Sequence, residues 1–439
     1  MLHDAEARKR MRQQKAEERM RKQAQLKKLM LRIAIAAVVL IACGILIFSL
    51  SRKNADTLPQ TPPETQQPPA NADAELPEEE APEDPAEVPE SDSALPPTTV
   101  IRYAAAGDLN VTAETVYSGG SSLVYTDAFL DVAHLLSDAD IASINFEGNF
   151  YGEPYGSTFS APQSLATALN NIGVDLVQMA NSYSINRGIA GLVASLDAVR
   201  GADMEPLGAY ASNEEFKASK GYTIRNINGI KLAFVAFTKG MDGMALPPGS
   251  EECVNILYSD YDSVYQEINT EKITTILASV AKEEPDLVIA LLHWGSEFNN
   301  TISSSQEEIK DLMYANGVDA IIGTHSHYVQ KISLDPETGR FIAYSLGDFF
   351  SNAERAGSEY SIILELEITK DNITGQTRIT DYSYTPIFTV NESGQPLRVV
   401  RLQEAMTAYE DNFINKVSRE TYDKMAYAMT RITARVAGE

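Results

Sequence analysis

Short, almost wholly apolar runs, each ending in a polar turn, recur along the chain from Thr99 onward. Residues 100–106 end at Gly107-Asp108, residues 138–144 lead into Asn145-Phe146-Glu147, and residues 174–179 stop at Ala180-Asn181. Residues 231–237 form a further run, residues 287–292 precede His293-Trp294-Gly295, residues 320–322 precede Gly323-Thr324-His325-Ser326-His327, and residues 342–345 precede Leu346-Gly347-Asp348. Continuous apolar runs of this kind predict strands buried on both faces. Helical periodicity fills the gaps, at 126–136, 164–172, 191–199, 268–281 and 306–315. Strands alternating with helices predict an α/β domain, and such domains gather their sites at the carboxyl ends of strands. Residues 361–368 and 377–388 alternate with period two and predict two later strands; residues 402–436 predict one or two amphipathic helices that close the domain.

The pattern upstream is different. Residues 29–50 are uncharged apart from Arg32, and as a helix they would span roughly 33 Å, enough for a hydrocarbon core of about 30 Å. The head before them is too long, and the apolar run too extended, for an ordinary cleaved signal peptide, and no small-x-small site ends the run. An uncleaved anchor is therefore expected. Eleven Lys and Arg against four acids in the first 32 residues predict a cytoplasmic N-terminus, a single pass through the cell membrane and an extracytoplasmic C-terminal domain. Residues 54–99 hold eleven prolines, twelve acids and no Lys or Arg, a composition that cannot bury enough surface to order itself and predicts an extended linker. The expected division is a basic head (1–28), a transmembrane helix (29–50), a disordered linker (51–98), a globular α/β domain (99–395) and a C-terminal helical extension of that domain (396–439).

Charge narrows the function classes. The formal net charge of −25 makes the chain a poor nucleic-acid binder, because phosphate contacts need basic residues. The two cysteines, Cys43 in the apolar span and Cys253 in the domain, cannot pair, so the domain must hold itself together by its core.

Five histidines occur in the chain. His3 lies in the head and His134 in a helical stretch, where a structural role is expected. His293, His325 and His327 all fall in polar turns directly after apolar strands. His325 and His327 are two apart, which in extended backbone puts both rings on one face and suits two ligands on one ion or on adjacent ions. With Asp108 and Glu147 they make a candidate metal or phosphate cluster, whose mixed oxygen and nitrogen donors fit Mn, Zn, Fe or Mg.

The blocks Gly107-Asp108, Asn145-Phe146-Glu147-Gly148, His293-Trp294-Gly295-Ser296-Glu297, Gly323-Thr324-His325-Ser326-His327 and Tyr344-Ser345-Leu346-Gly347-Asp348, in this order, resemble the CapA family. That family is linked to capsule and poly-γ-glutamate synthesis, and its fold is similar to the calcineurin-like metallophosphatases. The resemblance implies a four-layer α/β/β/α sandwich. It implies that Asp108, Glu147, His293, His325 and His327, with Asn181, hold divalent ions as a dinuclear centre that polarises a phosphoryl or acyl oxygen and lowers the pKa of a bound water. It places His293, Tyr183 and Glu297 in catalytic positions and Trp294 at the pocket wall. One block departs from the family: Ser182, Tyr183 and Asn186 stand where Asn, His and Asp are usual, and Asp348 where Asn is common. Two functions are therefore expected in competition. One is a metal-dependent hydrolase or transferase acting on an anionic envelope polymer or its carrier. The other is a non-catalytic member that binds polymer or membrane synthesis and export proteins. Arg187 is a candidate for the basic group that an anionic substrate would need.

Overall fold

The computed structural model describes residues 96–353, 355–413 and 417–439. The expected head, membrane helix and most of the linker lie outside them. Among the described residues, no helix is long and apolar enough to cross a membrane.

Two sheets organise the domain. Strands β1 (Thr98–Asn110), β2 (Ile141–Glu147), β3 (Leu176–Gln178) and β4 (Glu205–Leu207) run parallel in that order and begin the first sheet. Strands β5 (Thr223–Ile227), β6 (Ile230–Thr238), β7 (Leu287–His293), β8 (Ala320–Thr324), β9 (Ile332–Leu334) and β10 (Phe341–Ala343) build the second, in the order β5-β6-β7-β8-β10-β9. The chain then crosses back. Strand β11 (Asp348–Phe350) pairs parallel with β1, and β12 (Tyr360–Asp371), β13 (Thr377–Val390) and β14 (Arg398–Arg401) extend the first sheet antiparallel on its other side.

Side-chain alternation along the strands sets the layers. On β1, Tyr103 and Ala105 face the second sheet, packing in one core with Leu232, Phe234, Ile289 and Leu291. Their neighbours Ala104 and Ala106 face the other way, into a core shared with Leu165, Leu169, Leu192 and Leu196 of the helices Gln163–Asn171 and Gly188–Gly201. Likewise Val235, Ala290 and Leu292 turn outward from the second sheet onto Ile273, Leu277, Ile309 and Met313 of the helices Thr270–Ala281 and Ser304–Ala315. Three cores in series make a helix–sheet–sheet–helix sandwich, and period-two alternation within fully apolar strands is what lets one strand serve two of them. Fully burying a Phe or Leu side chain in such a core contributes about 1.5–3 kcal/mol.

The C-terminal segment differs from expectation. Residues 398–401 form a strand of the first sheet before the helices Leu402–Glu410 and Arg419–Ala437 begin, so the segment is not purely helical. Met425, Ala428 and Ile432 of the last helix join the inter-sheet core, covering strands that the second sheet does not reach. The stretch expected as one helix at 126–136 divides into Thr126–Phe129 and Ala133–Ser137.

Candidate metal centre

Strand register brings the polar residues together. Asp108 on β1 sits opposite Asn145 on β2 and opposite Asp348 on β11. In the second sheet, Thr238 at the end of β6 is opposite His293 at the end of β7, and His293 is opposite Thr324 at the end of β8. His325 and His327 follow at once. The carboxyl ends of both sheets therefore meet at one place.

The donors form two buried groups, each with ligand atoms within 4.8 Å of one another: Glu147 with His293 and His325, and Asp108 with His327 and Asp348. His293 Nε2 lies 3.1 Å from Glu147 Oε1, and the His293 and His325 rings are 4.4 Å apart between centroids. In the second group, His327 Nδ1 is 2.7 Å from Asp348 Oδ1 and 3.9 Å from Asp108 Oδ2. Asp108 also links the groups, because its Oδ2 accepts the backbone N–H of His325 at 3.0 Å. Asn145 Nδ2 braces the junction, donating to Asp108 Oδ1 at 2.6 Å and to Glu147 Oε1 at 3.4 Å.

The backbone of His325 and His327 is not extended, as their spacing had suggested. Both residues have positive φ, 87° and 56°, a conformation uncommon for non-glycine residues and found where surrounding structure enforces it. The consequence is functional: the two rings separate, with centroids 6.5 Å apart, and serve different groups.

Burial dominates the electrostatics. It raises the Asp108 carboxyl to about 7, with His327 working against that rise and Asp348 adding to it. Burial likewise raises Glu147 well above the usual carboxylate range, helped by the neighbouring Asp108 charge. Burial and the neighbouring cations hold His293 and His325 well below the ordinary imidazole value, so both are neutral donors at pH 7. Burial pulls His327 down too, but the Asp348 carboxylate and its hydrogen bond outweigh it and keep that ring protonated.

These residues fit divalent ions. Buried carboxylates without a compensating charge are costly, and neutral imidazoles beside them are the ligand form metals require. His325 Nδ1 is buried with no hydrogen-bond partner, an orphaned acceptor facing this environment. Binding must displace protons from Asp108, Glu147 and His327, all of which are held above their ordinary values, so affinity falls with pH, for Asp108 as pH drops through about 7. Mn²⁺ affinity of the purified full chain is therefore expected to drop by up to about tenfold per proton per pH unit between about pH 8 and pH 6, with protons released on binding. Calorimetry in buffers of different ionisation enthalpy checks this; pH-independent affinity with no proton release would contradict it.

The other expected site residues fall variously. Asn181 is spent as a bracket: Nδ2 donates to Asn145 Oδ1 and Phe146 O, and Oδ1 accepts the Tyr183 N–H. In this arrangement it holds the ligand-bearing strand ends in place, and its carbonyl oxygen, engaged once by the Tyr183 N–H, keeps a second lone pair. Ser182 is closer to the chemistry, with Oγ 3.2 Å from His293 Nε2. Tyr183, its ring 5.0 Å from Phe159, and Glu297 line a cavity of about 90 Å³ that also touches His327 and Asp348. Phe298, on the same wall, stacks on the His327 ring at 4.7 Å. Trp294 does not shape the pocket. Strand alternation turns it away from His293 to the outer face of the second sheet, where it stacks on Tyr344 and donates Nε1–H to the Tyr344 carbonyl at 2.9 Å. Arg187 stacks on Tyr151 and is not among the residues lining the cavities at the site. The structure adds Asp348 and Asn145 to the site. Asp348 was visible in the sequence only as a departure from the family pattern, and Asn145 only as the start of its motif.

Residues 102–353, more than half of the chain, match the family model described as bacterial capsule synthesis protein PGA_cap. The chain is 28% identical over 254 residues to the capsule biosynthesis protein CapA of Bacillus anthracis, covering 56% of this chain and 58% of that one. It is 26% identical over 216 residues to the PGA biosynthesis protein CapA of Bacillus subtilis, covering 48% and 51%. The chain thus spans between half and three-fifths of the length of these relatives. Among solved structures, the calcineurin-like phosphoesterase YfkN of Bacillus subtilis is similar at 16% identity and a TM-score of 0.39, over 76% of this chain and all of that one. The putative 5'-nucleotidase of Staphylococcus aureus is similar at 12% identity and a TM-score of 0.43, over 76% and 58%. With its motif blocks at the strand ends of two facing sheets and that match across the domain, the chain belongs to the bacterial capsule synthesis protein family PGA_cap.

Proposed function

We propose that this chain is a membrane-anchored accessory protein of capsule or poly-γ-glutamate synthesis, with its domain outside the cell membrane and a divalent-metal centre at the meeting of its two sheets. The observation that supports this most is convergence. Carboxylates and imidazoles from positions 108 to 348, on ends of both sheets, come together in two buried groups that share Asp108 as a neighbour.

A divalent ion held there supplies Lewis acidity toward a phosphoryl or acyl oxygen. Glu147, His293 and His325 would hold one ion, and Asp108, His327 and Asp348 a second. The protein's own contribution is positional: Asn145 and Asn181 lock the strand ends, and Ser182 presents a hydroxyl at His293. Glu297 and Tyr183 line the cavity through which an anionic polymer, or its carrier, would approach. The substrate class is that of a hydrolase or transferase acting on such a polymer.

A second reading has its own observation. Ser182 and Tyr183 occupy the block where the family resemblance leads one to expect an amide ligand and an imidazole, and a phenol is a weaker acid than an imidazolium. A site so altered would bind polymer, or partner proteins of a membrane synthesis and export complex, without turnover.

One experiment separates the two. The detergent-solubilised full chain is loaded with Mn²⁺ or Zn²⁺ and assayed on a generic phosphodiester and on poly-γ-glutamate, with Glu147→Gln as control. Under the hydrolase reading, turnover is lost in Glu147→Gln, and Tyr183→His raises it by about tenfold or more, the low end of what a positioned acid contributes. Metal bound in stoichiometric amount with no turnover, in wild type and Tyr183→His alike, establishes the binding reading instead. Absence of bound metal removes the hydrolase reading.

A further inference from the structure

Lys239 immediately follows β6, and its backbone N–H donates to the carbonyl of His293 at 2.8 Å. Its side chain is half-buried. Nζ donates to the Gly295 carbonyl at 2.8 Å and lies 4.6 Å from the centre of the Tyr265 ring. Both partners are uncharged, and among the described residues no carboxylate pairs with this ammonium. The group borders a cavity of about 250 Å³ that reaches His325 and Ser182, with Tyr265 and Ser296 on its walls and Asp242 and Glu297 at its exposed rim. Among the described residues lining this cavity and the smaller one beside His327, Lys239 is the one lysine or arginine.

The rim carboxylates Asp242 and Glu297 attract the ammonium without pairing with it, and its charge still acts on the imidazole ligands beside it. The Glu147–His293–His325 group supplies one carboxylate and two neutral imidazoles, so a divalent ion held there keeps a net positive charge. A partly desolvated ammonium nearby repels that ion, and desolvation already lowers the lysine's own pKa. Lys239 in turn is among the charges that depress both imidazoles. An anion accepting from the lysine and facing the ion would turn two repelling cations into two partners of one ligand.

We propose that Lys239 and the Glu147–His293–His325 group share one substrate oxyanion, a carboxylate or a phosphate, with Ser182 and Ser296 as neighbouring hydroxyl donors. Lys239 is thus a substrate-positioning residue, the one lysine or arginine lining these two cavities. The inference rests on the metal-centre reading above.

The test is calorimetry on the detergent-solubilised full chain. Mn²⁺ is titrated first, then inorganic phosphate and glutarate separately, into wild type, Lys239→Met, Lys239→Gln and Lys239→Arg. In both neutral variants Mn²⁺ affinity is expected to rise severalfold, because a repelling charge is gone, while oxyanion affinity falls by about tenfold or more. Lys239→Arg keeps the charge and is expected to hold both affinities near wild type. A purely structural lysine would instead lower both affinities together, and Lys239→Gln, which can still donate to the Gly295 carbonyl, guards against a folding defect in the Met variant. Binding of phosphate alone assigns a phosphoryl group, and binding of glutarate alone a carboxylate. Binding of neither, or equal oxyanion affinity with and without the lysine charge, overturns the proposal. If no Mn²⁺ binds, the metal-centre reading fails by itself, and the oxyanion titrations of the metal-free variants still decide the role of Lys239.

Discussion

Asp108→Asn is expected to strip metal from both groups at once, lowering affinity by at least about a hundredfold, while leaving the metal-free protein close to wild-type stability. The side chain is fully buried and takes part in both groups: it belongs to the Asp108–His327–Asp348 set, and its Oδ2 holds the backbone of His325 in the other. Asparagine has one acceptor oxygen where aspartate has two. It can serve either the Asn145 amide or the His325 N–H, but not both, so one donor loses its partner, at about 1–3 kcal/mol. Against that, the variant removes a buried carboxyl that burial holds at about pKa 7 and that lies beside Asp348 and Glu147, and this relief acts in the opposite direction. The two effects offset in the metal-free state, whereas nothing offsets the lost charge in the loaded one. In wild type, Mn²⁺ at a hundred times its Kd stabilises the fold by about 2.7 kcal/mol, and that increment disappears in the variant. Emission spectroscopy for bound metal and thermal unfolding with and without Mn²⁺ measure both halves. A variant that retains metal at wild-type stoichiometry would sink the assignment of these residues as ligands. Glu297→Gln, an exposed change at the cavity rim, is the control that keeps its metal.

Much of this site is legible in the sequence, and the parts that are not have identifiable physical reasons. Strands β2 and β7 are buried along their whole length, so β7 reads as an uninterrupted apolar run and β2 as one broken only by Ser143 before its polar end, and those ends stand out. Glu147 and His293 are found that way. Asp348 is not, because its place depends on β11, a three-residue strand laid beside β1 by a crossing between sheets, with Asp108 as its register partner. No local periodicity reports a pairing between residues so far apart in sequence. His325 and His327 are identifiable as residues but not as geometry, since spacing alone suggests extended backbone and the turn imposes positive φ. Trp294 shows the reverse error. Adjacency to His293 in sequence suggests adjacency in the pocket, yet one step along a strand reverses the face. The expected membrane anchor and linker rest on composition alone; the anchor and most of the linker lie outside the described residues.

The second large effect concerns a residue with no side chain. Gly107→Ala is expected to destabilise the fold by upward of about 3 kcal/mol and to weaken the Asp108–His327–Asp348 group far more than its neighbour. A Cβ at position 107 would lie 1.8 Å from the Gly347 carbonyl oxygen and 2.9 Å from its carbon. Both are main-chain atoms, so no rotamer change relieves the overlap. Gly347 cannot easily retreat. Its carbonyl already accepts the Asp108 N–H at 3.0 Å, and the next peptide is held by Ser361 Oγ, which donates to the Asp348 carbonyl at 2.6 Å. Leu346, on the other side, accepts the Ile362 N–H at 3.2 Å. The strands must therefore part by at least about 1 Å in a close-packed interior, and the separation falls between Asp108 and Asp348, whose register the pairing sets. Glu147 and His293 sit on other strand ends and keep their spacing, while His325 is reached only through its hydrogen bond to Asp108. Gly201→Ala is the matched control: that glycine lies in a helix with nothing near its missing Cβ, and alanine there is expected to raise stability by about 0.5–1 kcal/mol. Urea unfolding of the two variants gives the stability difference, and metal analysis gives the site effect. Equal stability of Gly107→Ala and wild type, with full metal content, would show that β1 and β11 are not apposed as described and that Asp108 and Asp348 do not share a group.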